Sequence, residues 1–143
     1  MILLDTNVVS EPWKPEPDPH VLAWLDAQVV ETLYLSAITV AGLRYGVAAL
    51  PAGQRRKLLG ERLERAFLPV FAGRVLAFDL AAAGAYAELM AHARTSGLAI
   101  GRADGYIAAI AIAHGMLIAS RDTSAYAAAG LDVINPWEAP FNP

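Results

Sequence analysis

A chain of 143 residues with 56% hydrophobic and 17% charged side chains can bury one substantial core and leaves no room for a second domain. The absence of cysteine excludes a disulfide framework, a thiolate nucleophile and a Cys-type zinc site, and it fits a reducing cytoplasm. A formal net charge of −3 excludes a globally basic nucleic-acid binder, so any attraction for phosphate must come from a local patch or a bound cation.

Strand-like apolar runs alternate with stretches of helical period. Ile2–Thr6 reads as the first strand, and a loop rich in proline (Pro12, Pro15, Pro17, Pro19) follows it. A helix is predicted from Pro19 to Gln28, with Val21, Leu22, Trp24 and Leu25 apolar and Pro19 suited to its first turn. Leu33–Ser36 reads as the second strand, Ser36–Leu50 as a passage into a helix ended by Pro51, and Gln54–Phe67 as a long helix. Val75–Phe78 is the third strand, and Asp79 caps a helix running to Thr95. The helix from Arg102 to Ala113 stops at Gly115. Met116–Ser120 is the fourth strand, Asp132–Ile134 a short fifth, and residues 135–143 form a tail. Strands separated by helices predict an α/β fold. A single domain over residues 1–143 would hold a mostly parallel, four- to five-stranded sheet with helices on both faces.

Mean hydropathy is positive, yet the longest apolar stretch, Tyr106–Ser120, is broken by His114-Gly115. A spanning helix needs ~20 predominantly apolar residues. No basic segment opens the chain and Asp5 arrives at once, so neither a signal peptide nor membrane association is expected.

Asp5 stands at the carboxyl end of the first strand, the edge of an open α/β sheet where ligands bind. Asp104 follows Gly101 at the start of an apolar helix, and Asp122 follows the fourth strand. Three acids that one fold can gather on one edge point to a divalent-metal site, because magnesium takes hard oxygen ligands and crowded carboxylates repel unless a cation or a proton intervenes. Thr6, Asn7, Ser120 and Thr123 are placed to orient those carboxylates or hold water. Each acid also has a plain structural reading. Asp104 suits the positive end of its helix, Asp122 suits a turn, and Asp5 suits a cap.

The segments Leu3-Leu4-Asp5-Thr6-Asn7-Val8-Val9-Ser10-Glu11, Leu35-Ser36-Ala37-Ile38-Thr39-Val40 and Leu43-Arg44-Tyr45-Gly46 carry a resemblance, continued by Gly101-Arg102-Ala103-Asp104-Gly105-Tyr106-Ile107-Ala108-Ala109 and Ser120-Arg121-Asp122-Thr123. Together, in this order, they resemble PIN-domain ribonucleases, nearest to the VapC toxins of bacterial type II toxin–antitoxin pairs and their FitB-like branch. The resemblance implies a magnesium-dependent endoribonuclease, with manganese as the alternative ion. It also implies a homodimer and a small cognate antitoxin of the VapB or FitA kind that blocks the site. Carried over by position, it makes Asp5 and Asp104 the central metal ligands and Asp122 the residue that completes the acidic pocket.

One position departs from the family. A glutamate is usual in a pattern like Thr-x-x-Glu-Leu, and here Thr39-Val40-Ala41 leads to Gly42-Leu43. Glycine supplies no ligand and costs a helix interior ~1 kcal/mol relative to alanine. The expected function is therefore the toxin component, an RNA-cleaving enzyme weakened at Gly42. Glu11 and Glu88 are the only conceivable substitutes for the missing acid.

A catalytically impaired module that binds antitoxin or RNA is the main alternative. An aspartyl-nucleophile phosphohydrolase is a minor one, disfavoured because Lys14 and Lys57 are the only lysines and neither follows a strand. Arg44 and Arg121 are the candidates for gripping RNA phosphate. The basic run Gln54-Arg55-Arg56-Lys57 with Arg62 and Arg65 reads rather as a solvated face with Glu61–Arg65 pairing. His20, His92 and His114 lack ligand spacing, and Trp13 and Trp137 are expected to pack on one another.

Overall fold

Among residues 1–140, which the computed structural model describes, five parallel strands lie in the order β3-β2-β1-β4-β5. They are β1 (Ile2–Leu4), β2 (Leu33–Ser36), β3 (Val75–Leu76), β4 (Leu117–Ala119) and β5 (Val133–Ile134). Leu3 sits opposite Tyr34 of β2 on one side and Ile118 of β4 on the other, which makes β1 the central strand. Parallel neighbours require crossovers. These run through α1 (Thr6–Ser10), α2 (Pro19–Ala27), α3 (Ala37–Ala48), α4 (Gln54–Glu61), α5 (Leu80–Thr95), α6 (Arg102–His114) and α7 (Thr123–Ala128).

The period of two along β1 divides the core. Leu3 joins Ile107, Ile110 and Ile118 on the face covered by α5 and α6. Leu4 joins Val8, Val21, Leu35 and Phe71 on the opposite face. Burying one such side chain contributes ~1.5–3 kcal/mol, so both faces are needed to hold so short a strand.

Local chemistry sets the helix ends. The Ser36 hydroxyl accepts from Thr39 N at 3.0 Å, and the Asp79 carboxylate accepts from Ala82 N at 3.0 Å. Asp18 accepts from His20 N at 2.8 Å with Pro19 in the first turn of α2. Gly115, at φ 63°, takes the left-handed conformation that ends α6.

The structure departs from the sequence expectations in several places. The first strand stops at Leu4, because the Asp5 carboxylate accepts from Thr6 N at 2.7 Å and turns the chain into α1. The long helix over 54–67 is α-helical only to Glu61 and widens into a π turn over Arg62–Phe67. Its ion pair joins Glu64 to Arg44 of α3, at 2.7 Å and 3.0 Å, instead of Glu61 to Arg65. Trp13 packs edge-on against Phe67 at 5.9 Å, while Trp137 faces Arg121. The two tryptophans thus find separate partners. The tail forms a 3-10 turn over Pro136–Glu138, and its last three positions lie outside the described residues. No helix of the described residues is long and apolar enough to cross a membrane.

α5 and α6 pack very closely beside Asp104. A Cβ on Gly105 would stand 3.0 Å from Met90 Sδ and 3.1 Å from Tyr86 Cε2. The aromatic rings of Phe78, Tyr86 and Tyr106 close the same seam.

Candidate functional site

From β1 the chain works outward to β2 and β3, then returns to β4 on the other side. The crevice beyond the carboxyl ends of β1 and β4 is therefore the switch point of the sheet, the place where open α/β sheets bind ligands. Asp5 leaves β1 there, its backbone N donating to Ala119 O at 3.0 Å.

Asp5 is buried, 4% exposed, and held at both oxygens. Oδ1 accepts from Thr6 N, and Oδ2 accepts from the Ser120 hydroxyl at 2.7 Å. Ser120 Oγ in turn accepts from Asn7 Nδ2 at 3.3 Å and from Asp122 N at 2.9 Å. Asn7 Oδ1 accepts from Arg121 N at 3.3 Å. This lattice ties the segment after β1 to the segment after β4 and fixes the carboxylate. A buried charge with few partners would be costly, and these donors offset that cost.

Asp104 enters from the first turn of α6, and Asp122 from the N-cap of α7, where its side chain makes no capping bond. The Asp104 carboxyl is pushed up to about 6, first by burial, then by a hydrogen bond with Asp122 and the charges of Asp5 and Asp122. Carboxylates gathered this closely repel one another unless a proton or a cation intervenes, so the site is crowded in the way a cation relieves. Asp5, Asn7, Asp104 and Asp122 line one open pocket of about 470 Å³ with Thr6 and Gly42.

Gly42 is exposed on α3 at the wall of this pocket. A Cβ there would meet only Thr6 Cγ2, at 3.7 Å, an ordinary contact. Thr6 Oγ1 shares a hydrogen bond with Thr39 Oγ1 at 3.1 Å, so α3 is tied to α1 directly beneath the glycine. Glu11 does not reach the pocket. It is buried, with Lys14 Nζ 3.0 Å from its Oε2 but out of hydrogen-bond alignment. Glu88 lies with His92 in a groove of α5 and α6, also apart from the acids.

Other candidates fall at the rim or outside. Thr123 opens α7, and its side chain is not part of the pocket lining. Arg44 is engaged by Glu64 in a separate cleft with Arg56. The Arg121 guanidinium lies over Trp137 at 5.2 Å. A more apolar hollow of about 370 Å³ under Trp13, Leu25, Phe67 and Phe71 offers no converging carboxylates.

Tyr126 is the residue for which the sequence pattern gives no sign. It is fully buried, and its hydroxyl donates to Asp104 Oδ1 at 3.4 Å. Burial, then the charges of Asp5 and Asp104, hold its proton on well above the ordinary tyrosine range. Had Thr123–Ala128 been legible as a helix, the i, i+4 spacing from Asp122 would have pointed to it.

Carboxylate, amide and hydroxyl oxygens fit a hard divalent cation. Among the described residues no three acidic or imidazole groups form a ready-made cage. A hydrated divalent cation keeps several waters and can be held by one or two carboxylates from the protein.

A family model described as PIN domain matches residues 2–131. The chain is 67% identical over 138 residues to VapC ribonuclease Y4jK of Sinorhizobium fredii (strain NBRC 101917 / NGR234), covering 96% of this chain and 99% of the relative. It is 54% identical over 137 residues to Toxin FitB of Neisseria gonorrhoeae (strain ATCC 700825 / FA 1090), covering 96% and 99%. The solved structure of FitAB bound to an IR36 DNA fragment matches with a TM-score of 0.95 at 51% identity, over 100% of both chains. Fold, order of motifs and relatives agree: the chain belongs to the PIN-domain family, beside the VapC and FitB toxins.

Proposed function

We propose that this chain is the toxin of a type II toxin–antitoxin pair and hydrolyses RNA phosphodiester bonds as a magnesium-dependent endoribonuclease, weakened because Gly42 leaves one acid out of the pocket. The observation that carries this reading is the convergence of Asp5, Asp104 and Asp122 on one crevice at the switch point of the sheet. The ribonuclease and toxin names of its relatives support the choice of RNA and of a toxin role. A small antitoxin of the VapB or FitA kind is the expected partner, a homodimer the expected assembly and the cytoplasm the expected compartment.

Asp5 and Asp104 would hold the magnesium, or manganese in its place, with Asp122 completing the pocket. The bound ion supplies charge neutralisation at the scissile phosphate and an acidified water. The protein's share is orientation. Ser120 and Thr6 N fix Asp5, and Asn7 holds the backbone of Arg121 beside Asp122. Arg121 is the better placed phosphate contact, since Arg44 is committed to Glu64.

Gly42 itself favours a second reading, a module that binds antitoxin or RNA with little hydrolysis. The phosphohydrolase reading loses ground, because no lysine lines the pocket. Cleavage of total RNA in magnesium and in chelator, run beside Gly42→Glu, separates the first two. The enzyme reading expects weak magnesium-dependent cleavage that the variant increases. Metal-independent cleavage, or none in either protein, would sink it.

A further inference from the structure

Tyr126 does more in this molecule than fill space. Its ring sits fully buried in the core shared by Leu3, Ile107 and Ile118, where a phenylalanine would pack equally well. The hydroxyl is what needs explaining, because a buried O–H without a partner is costly. It lies four residues beyond Asp122, the N-cap of α7, and both residues are neighbours of Asp104.

The partners of Asp104 are unequal. Asp122 and Asp5 crowd it with negative charge, whereas the Tyr126 hydroxyl donates to Oδ1. Among the side-chain hydrogen bonds of the described residues, this donor to Asp104 brings no further carboxyl into the pocket. At 3.4 Å the contact is longer than the ~2.7–2.8 Å usual for O–H···O, so it guides the carboxylate more than it clamps it. The direction of approach also matters. Asp104 lines the open pocket and Tyr126 does not, which puts the tyrosine behind the carboxylate, on the core side. Carboxylates that hold a cation are commonly oriented by such a partner from behind.

We propose that Tyr126 is a positioning residue of the acid pocket, whose buried hydroxyl turns the Asp104 carboxylate toward the crevice in the orientation that a divalent cation needs. This rests on reading Asp5 and Asp104 as the cation-holding pair. With no acid at position 42, the aim of Asp104 carries a larger share of what holds the ion.

The test is a magnesium chloride titration read by thermal melting, without RNA, on the full chain. It compares the parent, Tyr126→Phe and Asp104→Asn, each also in the Gly42→Glu background. Phenylalanine keeps the ring, so metal-free melting of Tyr126→Phe should stay within a few degrees of its parent. The half-saturating magnesium concentration should rise about 10-fold or more, the loss typical of an orienting group at a metal site. Cleavage assays should show the same displacement in magnesium dependence, with the rate at saturating magnesium recovering toward the parent's. A merely structural tyrosine would lower the metal-free melting temperature and leave the magnesium midpoint where it was; an unchanged midpoint overturns the proposal, whatever happens to stability. Asp104→Asn separates the two levels. If it loses the magnesium-dependent rise while Tyr126→Phe titrates like its parent, the pocket reading stands and the role of Tyr126 falls. If Asp104→Asn keeps the full rise, the metal-site reading itself fails, and the inference with it.

Discussion

Two glycines beside the acid pocket carry opposite physical meanings. On α6, Gly105 follows Asp104 where α5 presses closest, and an added Cβ would run into Met90 and Tyr86 at 3.0–3.1 Å. On α3, Gly42 faces the pocket, and an added Cβ meets only the Thr6 methyl at 3.7 Å. A helix-interior glycine costs ~1 kcal/mol relative to alanine. At 105 the approach of α5 offsets that cost. At 42 nothing in the fold does. The small residue on α6 thus belongs to the packing that holds the acid in place, while the one on α3 leaves an open position at the site.

The largest effect that could break this comparison lies on the acid-bearing side. Asp104→Ala or Asp5→Ala should lower magnesium-dependent RNA cleavage by about 100-fold or more, since each removes a ligand and not merely its support. Both proteins should still fold, and circular dichroism with a rate measurement on total RNA checks this. Undiminished activity in either variant removes the acid pocket from the mechanism.

Next in size is Gly42→Glu. Space for the side chain exists, and the fourth acid should raise cleavage by about 10–100-fold. Losing a helical glycine adds up to ~1 kcal/mol of stability. Carboxylate repulsion cancels part of that in chelator and much less with magnesium present. The variant should therefore show the larger magnesium-dependent rise in melting temperature. An equal rise in both proteins with unchanged cleavage would mean that position 42 lies outside the chemistry, however open it is.

The two sides of the pocket also differ in how well they can be read from sequence. β2 and the helix capped by Asp79 are legible, because an apolar run bounded by turn residues and an N-cap before an alanine-rich stretch are local signals. The acids are legible as a set through strand ends and helix starts, and Gly115 as a helix stop. α1 is not. Thr6, Val8 and Val9 favour a strand by propensity, and the single turn forms because the Asp5 carboxylate caps it and Val8 and Val9 bury against the sheet. α7 is too short to show a period, so Tyr126 looks like one more core aromatic in an alanine-rich stretch. The clamp of Arg44 by Glu64 depends on the π turn, which has no local signature.

Gly105→Ala tests the packing half of the comparison at a smaller scale. Overpacking a tight core costs ~1–3 kcal/mol, and removing the helical glycine returns ~0.5–1 kcal/mol. The balance is a loss of about 1 kcal/mol, or roughly 3–5 °C in melting temperature for a chain of this size. Gly84→Ala on α5, where a Cβ meets nothing within 4 Å, should move melting the other way by up to ~1 kcal/mol. Shifts of the same sign at both positions would show that the contacts at 105 relax freely.

The smallest expected effect is a pH dependence, because water reaches Asp104 and screens its neighbours. Its carboxyl has an ordinary value of 3.8 and is pushed up to about 6 in the folded chain. Between those values the folded state binds a proton there that the unfolded state has released. Stability from this group is therefore fully present below about pH 4 and is lost as pH rises through about 6. Asp104→Asn resembles the protonated form at every pH. Without metal, the variant should gain stability relative to the parent as pH is raised from 4 to 7, and the gain should level off above that. Magnesium should shrink the gain at pH 7, since it stabilises the ionised carboxylate of the parent and not the amide. Melting curves of both proteins at matched pH, in chelator and in magnesium, read the difference directly. A gap between them that is flat with pH would show that neither the burial of Asp104 nor its crowding by Asp122 and Asp5 is felt in solution, and the acid-bearing side would then need no cation to relieve it.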